Sequence, residues 1–332
     1  MEPARRALMP LQPDADAPPR SARRHLGARR HVACSSLLLA WCTAAVGAQQ
    51  ATKPKASGGA WTCALYSGLS YAYDTNIDHA QPGLQTFGLL AGFGGDCSLR
   101  SATAALDISY DGVLRRYAHT DVWNVPGHDV SVLFEGRIAQ HWTLGAGVEY
   151  AVNGSSEDRV LRDEYSWQPQ LEFRLNGSNR LLLYGEYLIK EYPNPLRHHE
   201  SDPRVGVRFR QQLGQRWSWA VSGRYEYNRA DSAPYRYNGP SYGVDLTNPL
   251  GAKGRVSSSV RYRERRFTAR TVRVGNLDVL RRDTDWVATV AWHQVLGHWE
   301  VVYSYRYEKY VSNDTRREFR EHLVSMTLNR WW

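Results

Sequence analysis

A recurrent spacing governs this sequence. A short polar turn followed by an alternating strand recurs seven times, with strand starts near Trp61, Ser101, Trp142, Arg180, Trp217, Arg255 and Trp299. The intervals are 40, 41, 38, 37, 38 and 44 residues. Each unit holds two long alternating segments and so reads as one β-hairpin. Seven hairpins give about fourteen strands, an even number compatible with a closed up-and-down antiparallel barrel.

The alternation is sustained well beyond the 4–8 residues of an ordinary half-buried strand. From Trp217 one face reads Trp217, Trp219, Val221, Gly223, Tyr225, Tyr227, and the other reads Ser218, Ala220, Ser222, Arg224, Glu226, Asn228. From Trp299 one face is Trp299, Val301, Tyr303, Tyr305, Tyr307, against Glu300, Val302, Ser304, Arg306, Glu308. From Trp142 it is Trp142, Leu144, Ala146, Val148, Tyr150. Tryptophan comes first, small aliphatics sit in the middle and tyrosine comes last. A bilayer asks for that order, with amphipathic aromatics at each interface and apolar residues in the hydrocarbon. Nine residues at ~3.3 Å rise and ~40° tilt span about 23 Å, close to the ~25 Å apolar band of an outer-membrane barrel. Trp142, Trp217 and Trp299 are therefore expected in one aromatic girdle.

Connections alternate in length. Short ones fall near residues 139–142, 176–179, 213–216, 249–254 and 296–299. Longer ones fall near 74–83, 117–128, 153–164, 191–202, 229–241, 267–283 and 311–318. Short periplasmic turns and longer outer loops fit a transmembrane barrel. A β-propeller also repeats at about 40 residues, but its blades pack four short strands into each unit rather than two long ones.

The first residues carry a different signal. Arg20, Arg23, Arg24, Arg29 and Arg30 precede the apolar run Leu37-Leu38-Leu39-Ala40-Trp41, and Val46-Gly47-Ala48 follows. That is the order of a secretory signal peptide. Residues 1–48 are expected to be the signal, 49–60 a short periplasmic segment and 61–332 the barrel. Residues 1–48 hold seven Arg and three acids, so the net charge of +9 falls by four to +5 on their removal. So mild an excess, without a clustered basic face, does not indicate nucleic-acid binding. Two cysteines then remain, Cys63 and Cys97. An exported protein can oxidise them. Their positions, at the same end of neighbouring strands, favour a disulfide over two free thiols.

The last strand reads Val324-Ser325-Met326-Thr327-Leu328-Asn329-Arg330-Trp331-Trp332, with Val324, Met326, Leu328 and Trp332 on one face. It resembles the assembly signal of bacterial outer-membrane β-barrels, in which a terminal aromatic closes an alternating strand. The resemblance implies an outer-membrane location, contact with lipid and lipopolysaccharide, and recognition by the barrel-assembly machinery. A narrower likeness lies at the end of the first strand, Tyr73-Asp74-Thr75-Asn76-Ile77. It is similar to the first-strand ending of surface lipoprotein assembly modifier barrels and of porin-like barrels linked to exopolysaccharide export. That likeness implies an export or assembly role with a periplasmic partner.

With the apolar face toward lipid, the other face lines the lumen. It should carry Arg137, Glu149, Glu172, Arg174, Glu186, Arg208, Arg210, Arg224, Glu226, Arg261, Arg263, Arg265 and Arg306. Arg208, Arg210, Arg261, Arg263 and Arg265 could form one positive wall for anions. The interleaved acids could equally neutralise them as cross-strand pairs.

Enzyme signatures are weak. His198-His199 lie near Glu200 and Asp202, but adjacent ligands lack the 2–4 residue spacing of metal sites. Ser257-Ser258-Ser259 lacks the strand–turn–helix elbow of a hydrolase nucleophile. No cofactor or metal motif stands out. The sequence-based expectation is a passive or weakly selective channel for hydrophilic solutes, anionic ones among them, with an export barrel as the alternative and an enzyme less favoured.

Overall fold

A barrel in lipid must satisfy all its own backbone hydrogen bonds, because hydrocarbon offers none. The computed structural model describes residues 61–77, 79, 83–119, 124–154, 162–192, 199–214 and 217–332, and it meets that demand by closure. Fourteen antiparallel strands run β1 (Trp61–Asp74), β2 (Thr86–Arg100), β3 (Ala104–Tyr117), β4 (Gly127–Arg137), β5 (Trp142–Gly154), β6 (Arg162–Arg174) and β7 (Asn179–Glu191). They continue as β8 (His199–Leu213), β9 (Trp217–Ala230), β10 (Tyr237–Leu250), β11 (Gly254–Val274), β12 (Leu277–Leu296), β13 (Trp299–Ser312) and β14 (Phe319–Trp331). Each pairs with its neighbours in sequence, and β14 returns to β1 to close the ring. The expected signal and the segment at 49–60 lie outside the described residues.

The closing seam is in continuous register from Tyr66↔Trp331 to Asp74↔Leu323. The Trp332 N–H donates to the Leu65 carbonyl at 2.9 Å, so the terminal residue extends the seam by one bond. The Arg330 guanidinium lies over the Trp299 ring at 5.3 Å and over the Trp332 ring at 3.7 Å. The long stem of Arg330 reaches the interface this way, and its charge gains a cation–π contact in place of hydrocarbon.

The outward face is a continuous apolar band. Leu69, Leu89, Phe93, Leu114, Phe134, Leu144, Val148, Leu183, Val207, Val221, Val244, Val260, Val290 and Met326 are all exposed on it. Trp61, Trp142, Trp217 and Trp299 are exposed toward the short-turn end. Toward the long-loop end the rings pair with one another. Tyr150 stacks on Tyr165 at 4.6 Å, Tyr242 on Tyr262 at 6.3 Å, and Tyr262 meets Trp286 at 4.8 Å. Such a two-girdle band belongs in a membrane rather than in water.

Two sequence expectations need correction. The second hairpin starts at Ala104 rather than Ser101, because Ser101 is spent on the turn, where its Oγ accepts the Ala104 N–H. Residues 267–283 are not a loop. β11 and β12 continue through them, paired again from Thr271↔Leu280 to Val274↔Leu277, to a tight turn at Gly275, whose φ of +60° suits a residue without Cβ. A register shift between Arg266 and Thr271 bends this hairpin, and its tip passes beyond Phe267, where pairing with β10 ends.

Cys63 and Cys97 face each other directly across β1 and β2, with Cα atoms 4.1 Å apart, and are joined as a disulfide. The bond closes a loop of 34 residues. Replacing both by Ala is expected to cost about 2–4 kcal/mol in stability. It should lower the temperature at which heat-dependent gel mobility changes, an effect reproduced by reductant on the unaltered protein. Gly239 supplies a second test. A Cβ there would overlap the Glu264 carbonyl of β11, which is backbone and cannot swing away. Gly239→Ala should destabilise the barrel by about 1–3 kcal/mol, read by the same mobility shift.

Candidate functional site

Register decides which charges meet inside the barrel. Residues directly opposite share a face, so each rung of the lumen can be followed strand by strand. The most densely charged rungs lie toward the long-loop end. Lys190 donates to Asp202 at 3.0 Å and lies 3.8 Å from Glu200. Arg204 binds Asp202 at 2.8 Å and Glu186 at 2.9 Å, with Glu226 at 3.7 Å. Arg162 donates to Glu164 at 2.6 Å. Further round the wall, on β11 and β12, Arg263 meets Asp285 at 3.1 Å, and Arg281 meets Asp283 at 2.6 Å. These groups are almost entirely shielded from water: the side chains of Lys190 and Asp202 are 1% and 0% exposed. Buried charge survives only when paired and hydrogen-bonded, and the pairs here are interlocked. Ala72, Leu90, Val113 and Leu323 pack together on the lumen side of β14, β1, β2 and β3.

The half toward the short turns is different. Arg174, Arg180 and Arg210 occupy one rung across β6, β7 and β8, each directly opposite the next. Arg208 lies one rung away on β8. The side chains of Arg174, Arg180 and Arg208 are 41%, 44% and 40% exposed. Glu172 serves both Arg174 at 2.9 Å and Arg180 at 3.5 Å, and Asp245 takes Arg208 at 2.7 Å. Four guanidinium groups thus share two carboxylates. Like charges directly opposite repel, so this wet rung is left with unbalanced positive field. The neighbouring wall is acidic. Glu135 accepts an amide N–H from Gln170 at 3.2 Å, and Glu149 one from Gln168 at 3.3 Å. Asp107 on β3 is paired with Arg100 at 2.8 Å.

The residues expected in the lumen therefore divide by depth. Arg174, Glu172, Arg208 and Arg210 form the open rungs. Arg137 is exposed near the turn that follows β4. Glu186, Glu226 and Arg263 belong to the paired outer half, and Arg306 pairs with Glu308. Arg224 stands 3.9 Å from Glu226, and Arg265 lies over the Tyr237 ring at 5.1 Å. Arg261 is opposite Gly243 and Val287 on the same face. The five-arginine wall drawn from the sequence is thus not one wall. Its Arg263 is buried against Asp285, while Arg180, absent from the expected lining, joins the exposed set.

Glu200 and Asp202 fall inside the 191–202 stretch that the sequence reads as a loop, and Lys190 and Arg204 flank it. Strand β8 begins at His199, so Glu200 and Asp202 are lumen residues and not loop residues. The signal was there in the continuing alternation of Glu200, Asp202 and Arg204 against Ser201, Pro203 and Val205. His199 is exposed, 3.7 Å from Glu191, and His198 lies outside the described residues. Beyond the barrel rim, Asp314 hydrogen-bonds Arg316 at 2.9 Å, which holds its carboxyl below the usual range.

One arrangement on β11–β13 has the look of a catalytic relay. Ser257 Oγ lies 3.3 Å from His293 Nε2, and His293 Nδ1 lies 3.1 Å from Glu300. Arg255 reaches the same Nδ1 at 3.2 Å and Glu300 at 3.6 Å. Nδ1 thus faces both a donor, Arg255, and an acceptor, Glu300, and its role follows which of the two hydrogen bonds is made. Ser257 also sits inside two continuous ladders, to Thr247 and to Ala291, so the strand backbone there builds no oxyanion hole. The group ties three strands together.

No family model matches the chain, and neither does any curated protein. Solved structures do. A loop-deletion mutant of OmpT, an outer membrane protein of Vibrio cholerae, superposes with a TM-score of 0.50 at 10% identity, covering 82% of this chain and 100% of that one. An anion-selective porin from Comamonas acidovorans does so with a TM-score of 0.50 at 8% identity, again covering 82% of this chain and 100% of that one. At such identities the likeness is one of fold. Together with the lipid-facing band, it makes this chain a fourteen-stranded outer-membrane β-barrel.

Proposed function

We propose that the barrel is a narrow channel that passes small hydrophilic anions. The observation that carries this reading is the open rung of Arg174, Arg180 and Arg210 with Arg208 beside it, four cations sharing Glu172 and Asp245. A charged ring in a low-dielectric wall raises the local concentration of counter-ions and selects by sign. The outer half, with its charges interlocked in pairs, acts as the constriction. The fold shared with an anion-selective porin is compatible with this role. The terminal strand ending at Trp332 is the segment the barrel-assembly machinery would read, and the exposed band would meet lipid and lipopolysaccharide.

Planar-bilayer recording under a salt gradient tests the reading. The purified protein should show discrete openings with a reversal potential of anion-preferring sign. Arg180→Glu with Arg210→Glu should collapse or reverse that preference while leaving the barrel folded. Absence of conductance, or cation preference in the unaltered protein, sinks it.

A second measurement addresses the constriction. Lys190→Ala leaves Asp202 and Glu200 with less compensating charge. It should cost about 3–5 kcal/mol in stability and raise single-channel conductance as the outer packing loosens. Unchanged conductance would move the constriction elsewhere.

A further inference from the structure

The chain that follows β1 turns back into the barrel mouth, and a dense set of bonds holds it there. Asp74 accepts the Asn76 N–H at 2.9 Å. The Thr75 N–H donates to the His322 carbonyl at 3.1 Å, and the His322 N–H donates to Thr75 Oγ1 at 2.9 Å. Ile77 N–H donates to the Leu84 carbonyl at 3.1 Å, and His79 N–H to the Asn76 carbonyl at 3.1 Å. The Asp74-Thr75-Asn76-Ile77 segment thereby delivers His79 to a fixed place. The imidazole lies flat on Phe319, with ring centroids 4.6 Å apart and planes 16° apart.

What His79 meets there is a pair of carboxylates. Glu308 of β13 and Glu321 of β14 are directly opposite each other and both are buried. His79 Nε2 is 2.9 Å from Glu321 Oε2. One ligand atom from each of the three residues lies within 4.8 Å of the other two. Two buried carboxylates on facing positions repel strongly unless a cation stands between them. Arg306 pairs with Glu308 through Oε2. A tetrahedral ion bound at about 2.0–2.2 Å from each donor would place the donors about 3.4 Å apart. The His79–Glu321 pair already stands within that separation.

We propose that His79, Glu308 and Glu321 form a binding site for a divalent cation of zinc type. One imidazole nitrogen with two carboxylate oxygens is a borderline donor set, which favours zinc over magnesium or calcium. Three protein ligands leave a fourth position for water or an anion. The ion would tie the segment after β1 to the β13–β14 hairpin at the outer rim. It would convert a carboxylate repulsion into a cross-link between chain segments more than two hundred residues apart, about the separation of His79 from Glu308 and Glu321.

Calorimetric titration of the chelator-stripped, detergent-folded barrel with zinc chloride is the test. The expected result is one equivalent bound and a higher temperature for the mobility shift. Millimolar magnesium should not compete. Binding should be lost in His79→Ala and weakened at least tenfold in Glu321→Gln. It should persist in the His198→Ala, His199→Ala double variant, which removes the other candidate histidines. His79→Ala changes a residue outside the strands, so it carries the test even where Glu321→Gln fails to fold. No stoichiometric binding, or binding unchanged by His79→Ala, overturns the proposal and leaves a plain imidazole–carboxylate contact.

Discussion

Closure of the ring fixes everything else in this molecule. A strand edge in hydrocarbon would leave each N–H and C=O without a partner, at several kcal/mol per group. The β1–β14 seam removes both edges at once. Once it is closed, the register of every strand is set relative to every other, and the facing of each side chain follows by parity. A slip of one residue in β8 would turn Arg204, Arg208 and Arg210 toward lipid and Val205 and Val207 into the lumen. Each arginine so displaced costs about 2–4 kcal/mol near the midplane. The charged lumen and the apolar band are thus two expressions of one register. Arg330 shows the limit of the rule: it sits at the rim, where stacking on Trp299 and Trp332 accommodates its charge.

That coupling explains how much could be read from the sequence. Strand number, the aromatic order and the parity of each strand follow from period-two patterning, which is local. Strand starts at Trp61, Trp142, Trp217 and Trp299 coincide with the observed ones because tryptophan marks the interface directly. Two kinds of feature escaped. β11 and β12 run on past the membrane, where no bilayer imposes apolar alternation, so Thr268 to Arg282 read as loop. Pairing inside the lumen escaped for another reason. Whether Arg263 is neutralised depends on Asp285, 22 positions away, arriving on the same rung, and Arg180 is exposed because Arg174 and Arg210 are its neighbours. Sequence parity says which wall a residue faces; only register says what it meets.

The lumen is accordingly graded along its axis. Toward the outer end, charges are numerous, buried and interlocked in pairs. Exposed pairs contribute little energy, but these are desolvated, and loss of one partner strands the other. Such packing is rigid and unforgiving. Toward the short turns, Arg174, Arg180, Arg208 and Arg210 keep contact with water and share too few acids. Solvation, not pairing, makes that rung tolerable, and the same solvation leaves its field available to a mobile anion.

The two ends also differ in how they are braced. Near the short turns the Cys63–Cys97 disulfide joins β1 to β2 and the Ser257–His293–Glu300 contacts link β11, β12 and β13, beside the exposed ion pairs of Glu172 and Asp245. At the outer rim the bracing is by buried ion pairs, Lys190–Asp202 and Arg204–Glu186, with the His79–Glu321 contact beside them. Ionic bracing responds to what surrounds it: salt weakens the pairs nearest water, and a bound cation strengthens a carboxylate pair. A covalent tie responds to neither. The rung of Arg174, Arg180 and Arg208 keeps its pairs with Glu172 and Asp245 in contact with water, so salt reaches that end most directly, while the buried outer carboxylates are the ones a bound cation would strengthen.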